Sequence, residues 1–263
     1  MKKSIITTIL FIGFTSCIDT GPDWHNITIP SFVYDYRELN ESVEWRFNPN
    51  ELRLEYTMPW ESSKVVATLG ILNEKYATLA RQEAHRRLSN KHGDCEYNHT
   101  YTYEHSINLF VDYNRPTAYS DDFVEIRISS NADYNETHPV GYSLADITTF
   151  TGYSYEEYIN SGYTFVNERL YGTPLYHSRD IHKRVSKLTI ADLTLLANHT
   201  FSDIKGPSYP QNIFDFALTF ETTPTLAQQH TLEIVFVSDE GKEFRFNVDV
   251  DFSQVATEVE EEK

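Results

Sequence analysis

The sequence predicts an α+β fold, mainly antiparallel β: a decorated β-sandwich-like domain with a few inserted helices. Apolar and polar residues alternate with period two from Leu52 to Val250, the side-chain period of strands with one buried face. Helical spacing appears only as insertions between those runs. An orderly strand–helix alternation, which would signal a parallel sheet, is missing.

In chain order, Phe32, Tyr34 and Tyr36 start a strand, and residues 40–50 form a loop with Asn48-Pro49-Asn50 as its turn. Leu52, Leu54, Tyr56 and Met58 alternate with Arg53, Glu55 and Thr57, and Pro59 closes that strand. Residues 65–71 fit a strand or a helix. A helix follows over residues 73–90, with Leu72, Tyr76, Leu79, Ala80, Ala84 and Leu88 on its apolar side, and His92-Gly93 ends it. Ile107, Leu109 and Val111 predict a strand, as do Val124, Ile126 and Ile128. Residues 143–162 are expected to hold short helices, with Ser143 as a cap. Residues 163–170 read as a strand, and residues 189–196 as a short helix or strand. Finally, Phe214, Phe216, Leu218 and Phe220, then Leu232, Ile234 and Phe236, then Phe244, Phe246, Val248 and Val250 predict a three-stranded antiparallel meander turning at Gly241.

Composition sets limits on function. Hydrophobic residues make up 40% and aromatics 14%, enough for a core and against disorder. The formal net charge is −17, and such a surface repels phosphate backbones, so nucleic acid is not an expected partner.

Lys2-Lys3, the apolar run of residues 5–14 and Phe14-Thr15-Ser16-Cys17 resemble a bacterial lipoprotein leader, with Phe14 where Leu is usual. The resemblance implies a signal peptide over 1–16, cleavage before Cys17, and lipidation of that cysteine. Several acyl chains on one residue make a stable membrane anchor. Residues 17–30, with Gly21, Pro22 and Pro30, read as a tether, residues 31–255 as one β-rich domain, and residues 256–263 as an acidic tail. Ile18 does not resemble an inner-membrane retention signal, which implies the outer membrane. Asp19 and Asp23 resemble, in thin form, the acidic stretch that sends some Bacteroidetes lipoproteins to the cell surface. The closing strands, with Thr222-Thr223-Pro224 and residues 238–244, and the strand before the polar loop at Asn131, are similar to Bacteroidetes outer-envelope lipoproteins of unknown role. That likeness covers the leader and about a third of the chain, and it implies no site residues.

With Cys17 lipidated, Cys95 is the one thiol left, so no disulfide staples the fold. Three groups of residues are candidate sites. His92, Asp94, Cys95 and His99 offer zinc-ligand chemistry on one loop, the alternative being a polar loop with a buried, inert thiol. Tyr153, Tyr155, Tyr158 and Tyr163, beside Glu157, offer flat rings and a carboxylate suited to a sugar, the alternative being that the rings fill β-structure. Gly141-Tyr142-Ser143-Leu144-Ala145 approaches a nucleophile elbow but lacks the core strand that such an elbow follows. Asp121-Asp122 and Glu156-Glu157 are carboxylate pairs, yet neighbours on a strand point apart and glycoside hydrolysis needs two carboxyls facing across a cleft. The sequons at Asn26, Asn40, Asn98, Asn135 and Asn198 are incidental in a bacterial protein. No cofactor is expected. The resulting expectation is a non-catalytic binding or structural lipoprotein of the envelope, with an envelope protein or a glycan as partner. The alternatives are a carbohydrate-binding lipoprotein and a hydrolase of glycans or peptides.

Overall fold

A computed structural model describes residues 24–58, 64–69, 78–104, 116–170, 174–198 and 214–255. The leader, Cys17, the acidic tail and the strand expected at Ile107–Val111 lie outside them. The architecture is mainly antiparallel β with short helices, as the alternation predicts. No helix among the described residues is long and apolar enough to cross a membrane.

The strands are β1 (Trp24–Ile29), β2 (Asp35–Arg37), β3 (Arg46–Asn48), β4 (Arg53–Tyr56), β5 (Val65–Thr68), β6 (His99–Glu104), β7 (Thr117–Tyr119), β8 (Phe123–Ser130), β9 (Thr148–Ser154), β10 (Arg179–Arg184), β11 (Phe216–Phe220), β12 (Gln229–Ser238) and β13 (Glu243–Asp251). The helices are α1 (Leu79–Lys91), α2 (Glu156–Asn160) and α3 (Ile190–Leu193). A five-stranded sheet runs β10-β9-β11-β4-β3, a three-stranded one β13-β12-β8, another β5-β2-β7, and β1 pairs with β6. The β2–β7 pairing is parallel.

The expected meander does not form as one sheet. β12 and β13 make the predicted hairpin, turning at Gly241 with φ +80°. β11 instead lies between β9 and β4. Its buried end explains the switch. Asp215, read as an outward residue, is 1% exposed and accepts hydrogen bonds from the Met58 N–H at 3.1 Å and the Tyr119 hydroxyl at 2.8 Å. Those bonds pin the strand beside the end of β4. The three-stranded sheet takes β8 as its third member, with Ile128 opposite Ile234. Residues of both sheets share one core, where the Phe216 and Phe236 rings lie 5.0 Å apart and Tyr56 and Phe246 lie 5.6 Å apart.

Other expectations change locally. Residues 24–29, placed in the tether, form β1. Residues 65–68 resolve as strand. Residues 143–162, expected to hold short helices, hold β9 over 148–154 and a helix over 156–160. Ser143 caps no helix; it bridges to Ser129 beside β8. Residues 163–170 are irregular, ending in a single helical turn at 168–170, and residues 190–193 are helix.

The helix α1 begins at Thr78, whose hydroxyl accepts the Arg81 N–H at 3.3 Å, and ends at His92, followed by Gly93 with φ +68°. Its buried face is turned by about one residue from the predicted side. Leu79 is 85% exposed, whereas His85 and Ser89 are 2% exposed. The reason is the surface it meets, where the Val33 carbonyl and the Tyr36 ring suit an imidazole better than a leucine.

Candidate functional site

The aromatic stretch and the histidine loop, two separate candidates in the sequence, come together. They meet around residues 31–37, all of which are buried. The Phe32 ring packs against Tyr155 at 5.2 Å, Tyr158 at 4.7 Å, Tyr97 at 5.5 Å and His177 at 5.5 Å. Together with Val33, Tyr36, Ala67, Ala118, Leu175 and Leu195 they build a second core.

Asp94 anchors this arrangement. It is fully buried, and its carboxylate accepts the Phe32 N–H at 2.7 Å, the Val33 N–H at 2.9 Å and the Tyr163 hydroxyl at 3.1 Å. Burial pushes its carboxyl above the ordinary range, opposed by those hydrogen bonds. Tyr163 holds the left-handed backbone at φ +63°, which is costly for a residue with a β-carbon. Its ring lies against Tyr97 and Tyr158, and its hydroxyl is tied to Asp94, which offsets that cost.

Of the proposed sugar platform, Tyr155 and Tyr158 are therefore interior residues, at 0% and 4% exposed. They cannot stack on a pyranose from solvent. Tyr153 and Tyr163 are half-buried against the same core. The Glu157 carboxylate lies 3.4 Å from the Arg179 guanidinium. The physical reason is the one weighed as the alternative: aromatic rings fill β-structure.

The four metal candidates do not converge. Asp94 is spent on backbone N–H groups, Cys95 is exposed, and the His99 ring stacks on Tyr97 at 5.4 Å. His92 Nε2 lies 3.7 Å from Asp122. Among the described residues no three His, Cys, Asp or Glu side chains are grouped to hold a metal. The thiol expected to be buried in the alternative reading is on the surface instead.

Sequence reasoning missed several groups. Lys91 Nζ sits 2.8 Å from both Asp122 and Asp239, tying the end of α1 to two turns of the β-structure. Asp192, 1% exposed, takes Lys183 at 2.6 Å, Arg179 at 3.1 Å, and the Thr189 N–H and hydroxyl at 2.9 and 2.7 Å. Burial pushes its carboxyl up, but these bonds together outweigh burial and hold it well below the ordinary range. Thr189-x-x-Asp192 was the available signal, since it closes a capping box.

Ser130 and His230 form a short, buried nucleophile–base contact. The serine Oγ lies 2.6 Å from Nδ1, and Nε2 lies 3.0 Å from the Ala227 carbonyl. A carbonyl only accepts, so Nε2 carries the proton and Nδ1 accepts from the serine. That is the polarity of an activated serine. But Ser130 is 5% and His230 3% exposed, and Oγ also accepts the Ala132 N–H at 3.1 Å. The imidazole is packed 5.4 Å from both Tyr134 and Phe252. The pair thus closes the junction of β8 and β12 from inside. One hundred residues separate the two in sequence, and no local pattern joins them.

No protein-family model matches the chain, and no curated protein or solved structure matches it.

Proposed function

We propose that this chain is a lipid-anchored protein of the bacterial outer envelope. Its β-rich body is a non-catalytic binding or structural module, held at the membrane through Cys17. The observation supporting the non-catalytic reading is where the polar chemistry goes. The buried carboxylates of Asp94, Asp192 and Asp215 are engaged by backbone N–H groups, hydroxyls or cations of the chain itself. The rings that a sugar would need, Tyr155 and Tyr158, are interior.

A protein partner is the better match to the exposed surface. Val140, Tyr142 and Leu226 are 57%, 62% and 56% exposed. They lie on two loops joined at Asp133 and Tyr134, through Val140 N–H to the Asp133 carboxylate at 2.8 Å and Ala227 N–H to the Asp133 carbonyl at 3.1 Å. Large apolar side chains gathered on a surface are a mark of association.

The test is metabolic labelling with an alkynyl fatty acid, followed by photocrosslinking from position 142 in whole cells. Label on the wild type and none on Cys17→Ala, with a discrete crosslinked protein, supports the reading. An unlabelled wild type, or label retained without Cys17, overturns it.

A further inference from the structure

The β12–β13 hairpin has a different charge balance at its two ends. At the turn end, carboxylates are matched: Lys242 sits 3.0 Å from Glu38, Arg245 2.8 Å from Glu233, and Lys91 2.8 Å from Asp239. At the other end, residues 131–147, 221–228 and 249–254 carry Asp133, Glu136, Asp146, Glu221, Asp249 and Asp251 and no lysine or arginine. Backbone bonds gather these segments. Thr225 N–H reaches the Tyr134 carbonyl at 2.9 Å, Phe252 N–H the Gln228 carbonyl at 2.8 Å, and Asn131 N–H the Thr231 carbonyl at 3.1 Å. Arg184, paired with Glu221, borders them, as does Lys187, next to the Ser186 N–H that bonds the Ala145 carbonyl at 3.0 Å. The acids remain in excess.

The same end presents Val140, Tyr142 and Leu226 to solvent. Hydrogen bonds fix the loop that carries the first two. The Asn135 carboxamide oxygen accepts the Thr137 and His138 N–H groups at 3.0 and 2.9 Å, and Gly141 N–H bonds the Ser130 carbonyl at 2.8 Å. A surface already fixed in shape loses less entropy when it binds. Apolar tips favour a partner that brings apolar groups, and carboxylates in excess favour one that brings positive charge. An anionic bilayer surface is repelled by the same charges.

We propose that this end of the sheet docks a cationic protein segment, one that combines apolar side chains with lysine or arginine. The proposal rests on Val140, Tyr142 and Leu226 being a protein-binding face. Those three supply the dry centre of the contact, and Glu136, Asp249 and the neighbouring carboxylates meet the cations around it. The centre carries most of the affinity. The carboxylates select the sign of the partner, and their share fades as salt rises.

The test titrates the purified full chain into three fluorescein-labelled synthetic helices, built of leucine with lysine, leucine with glutamate, and serine with lysine, and reads anisotropy. The leucine–lysine helix is expected to bind, and the other two to bind at least about ten-fold more weakly. Tyr142→Ser combined with Leu226→Ser should weaken that binding at least about ten-fold. Glu136→Gln combined with Asp249→Asn should weaken it about three- to ten-fold, an effect that vanishes in ~1 M salt. Leu79→Ser, at a more exposed apolar residue on α1, should change nothing. All these side chains are exposed, so the variants are expected to fold. Equal binding of the leucine–glutamate helix, lost in the Tyr142 and Leu226 variant, overturns the cationic partner and keeps the protein-binding face. No binding of the leucine–lysine helix, or binding that survives that variant, overturns the cationic segment whatever crosslinking from position 142 shows. Binding to phosphatidylcholine vesicles that is lost in the same variant, with none to the helices, assigns the face to a bilayer and overturns the proposal as well.

Discussion

Replacing Asp94 by alanine removes the acceptor for three donors at once: the Phe32 and Val33 N–H groups and the Tyr163 hydroxyl. Asp94 is 0% exposed, so bulk water does not replace it without rearrangement. A buried donor left without a partner costs about 1–3 kcal/mol. Two of the three sit on neighbouring amides and share any water that enters the gap, so the sum is less than three full penalties. Removing the burden of a desolvated carboxylate returns part of the loss. The expected net destabilisation is about 2–4 kcal/mol, a large fraction of the ~5–15 kcal/mol typical of a whole domain. Urea unfolding followed by near-ultraviolet circular dichroism of the tyrosines measures it. Asp94→Asn keeps one acceptor oxygen and the shape, so it should fall between wild type and alanine. A loss below about 1 kcal/mol for Asp94→Ala would refute the argument that this carboxylate organises the second core. So would an asparagine variant no better than alanine.

Tyr155 is fully buried and its hydroxyl has no hydrogen-bond partner among the described residues, so Tyr155→Phe should unfold at equal or higher urea, by up to about 1 kcal/mol; a clear loss would mean that the hydroxyl is satisfied. A methyl at Gly152 would meet the Phe150 ring at 2.9 Å, so Gly152→Ala should cost about 1–3 kcal/mol, read as a lowered thermal midpoint. An unchanged midpoint would show that the ring moves freely. The Asp192 carboxyl is held below its ordinary value of 3.8, so its contribution to stability is present above that pH and fades as pH falls through the lower folded value. Carbon-detected NMR should find Asp192 still ionised when exposed aspartates have titrated; a midpoint at or above the ordinary value would rule out the cation cluster in solution.

The period-two pattern made the strands at Leu54, Ile126, Ile234 and Phe246 legible, because one face of each meets the core and the other meets water. The partner of β11 was not legible. The sequence ordered three strands in a row, and neighbouring strands usually pair, but pairing was decided by a buried Asp215 reaching Met58 and Tyr119. The doubly buried pair Phe216-Ala217 was the remaining hint, since a one-sided strand would alternate. The second core failed to show for a related reason. Its members Phe32, Ala118, Tyr155 and Leu195 come from separate stretches, and the alternation of Phe32, Tyr34 and Tyr36 predicts a strand with one wet face, whereas residues 31–37 are all buried. Polar residues at i and i+4 on α1, His85 and Ser89, carried the information about its buried face, but an apolar-stripe criterion passes over them. Clustered tyrosines looked like a surface because their hydroxyls suit water; here they line an interior.

The placement of β11 also dictates the order in which this protein can become a protein. β4 ends at Tyr56, and Tyr56 lies opposite Phe216. β3 hangs from β4, and β9 reaches the rest of its sheet through β11 as well. A growing chain therefore carries β3, β4 and β9 as strands with open edges until its last fifth has emerged. Every contact of so long a reach delays closure and leaves greasy edges exposed to other chains. Truncation anywhere before Phe220 should leave an aggregating fragment in place of a smaller folded one. A helper that holds the early strands apart until the end arrives would serve this chain better than one that acts after it is complete.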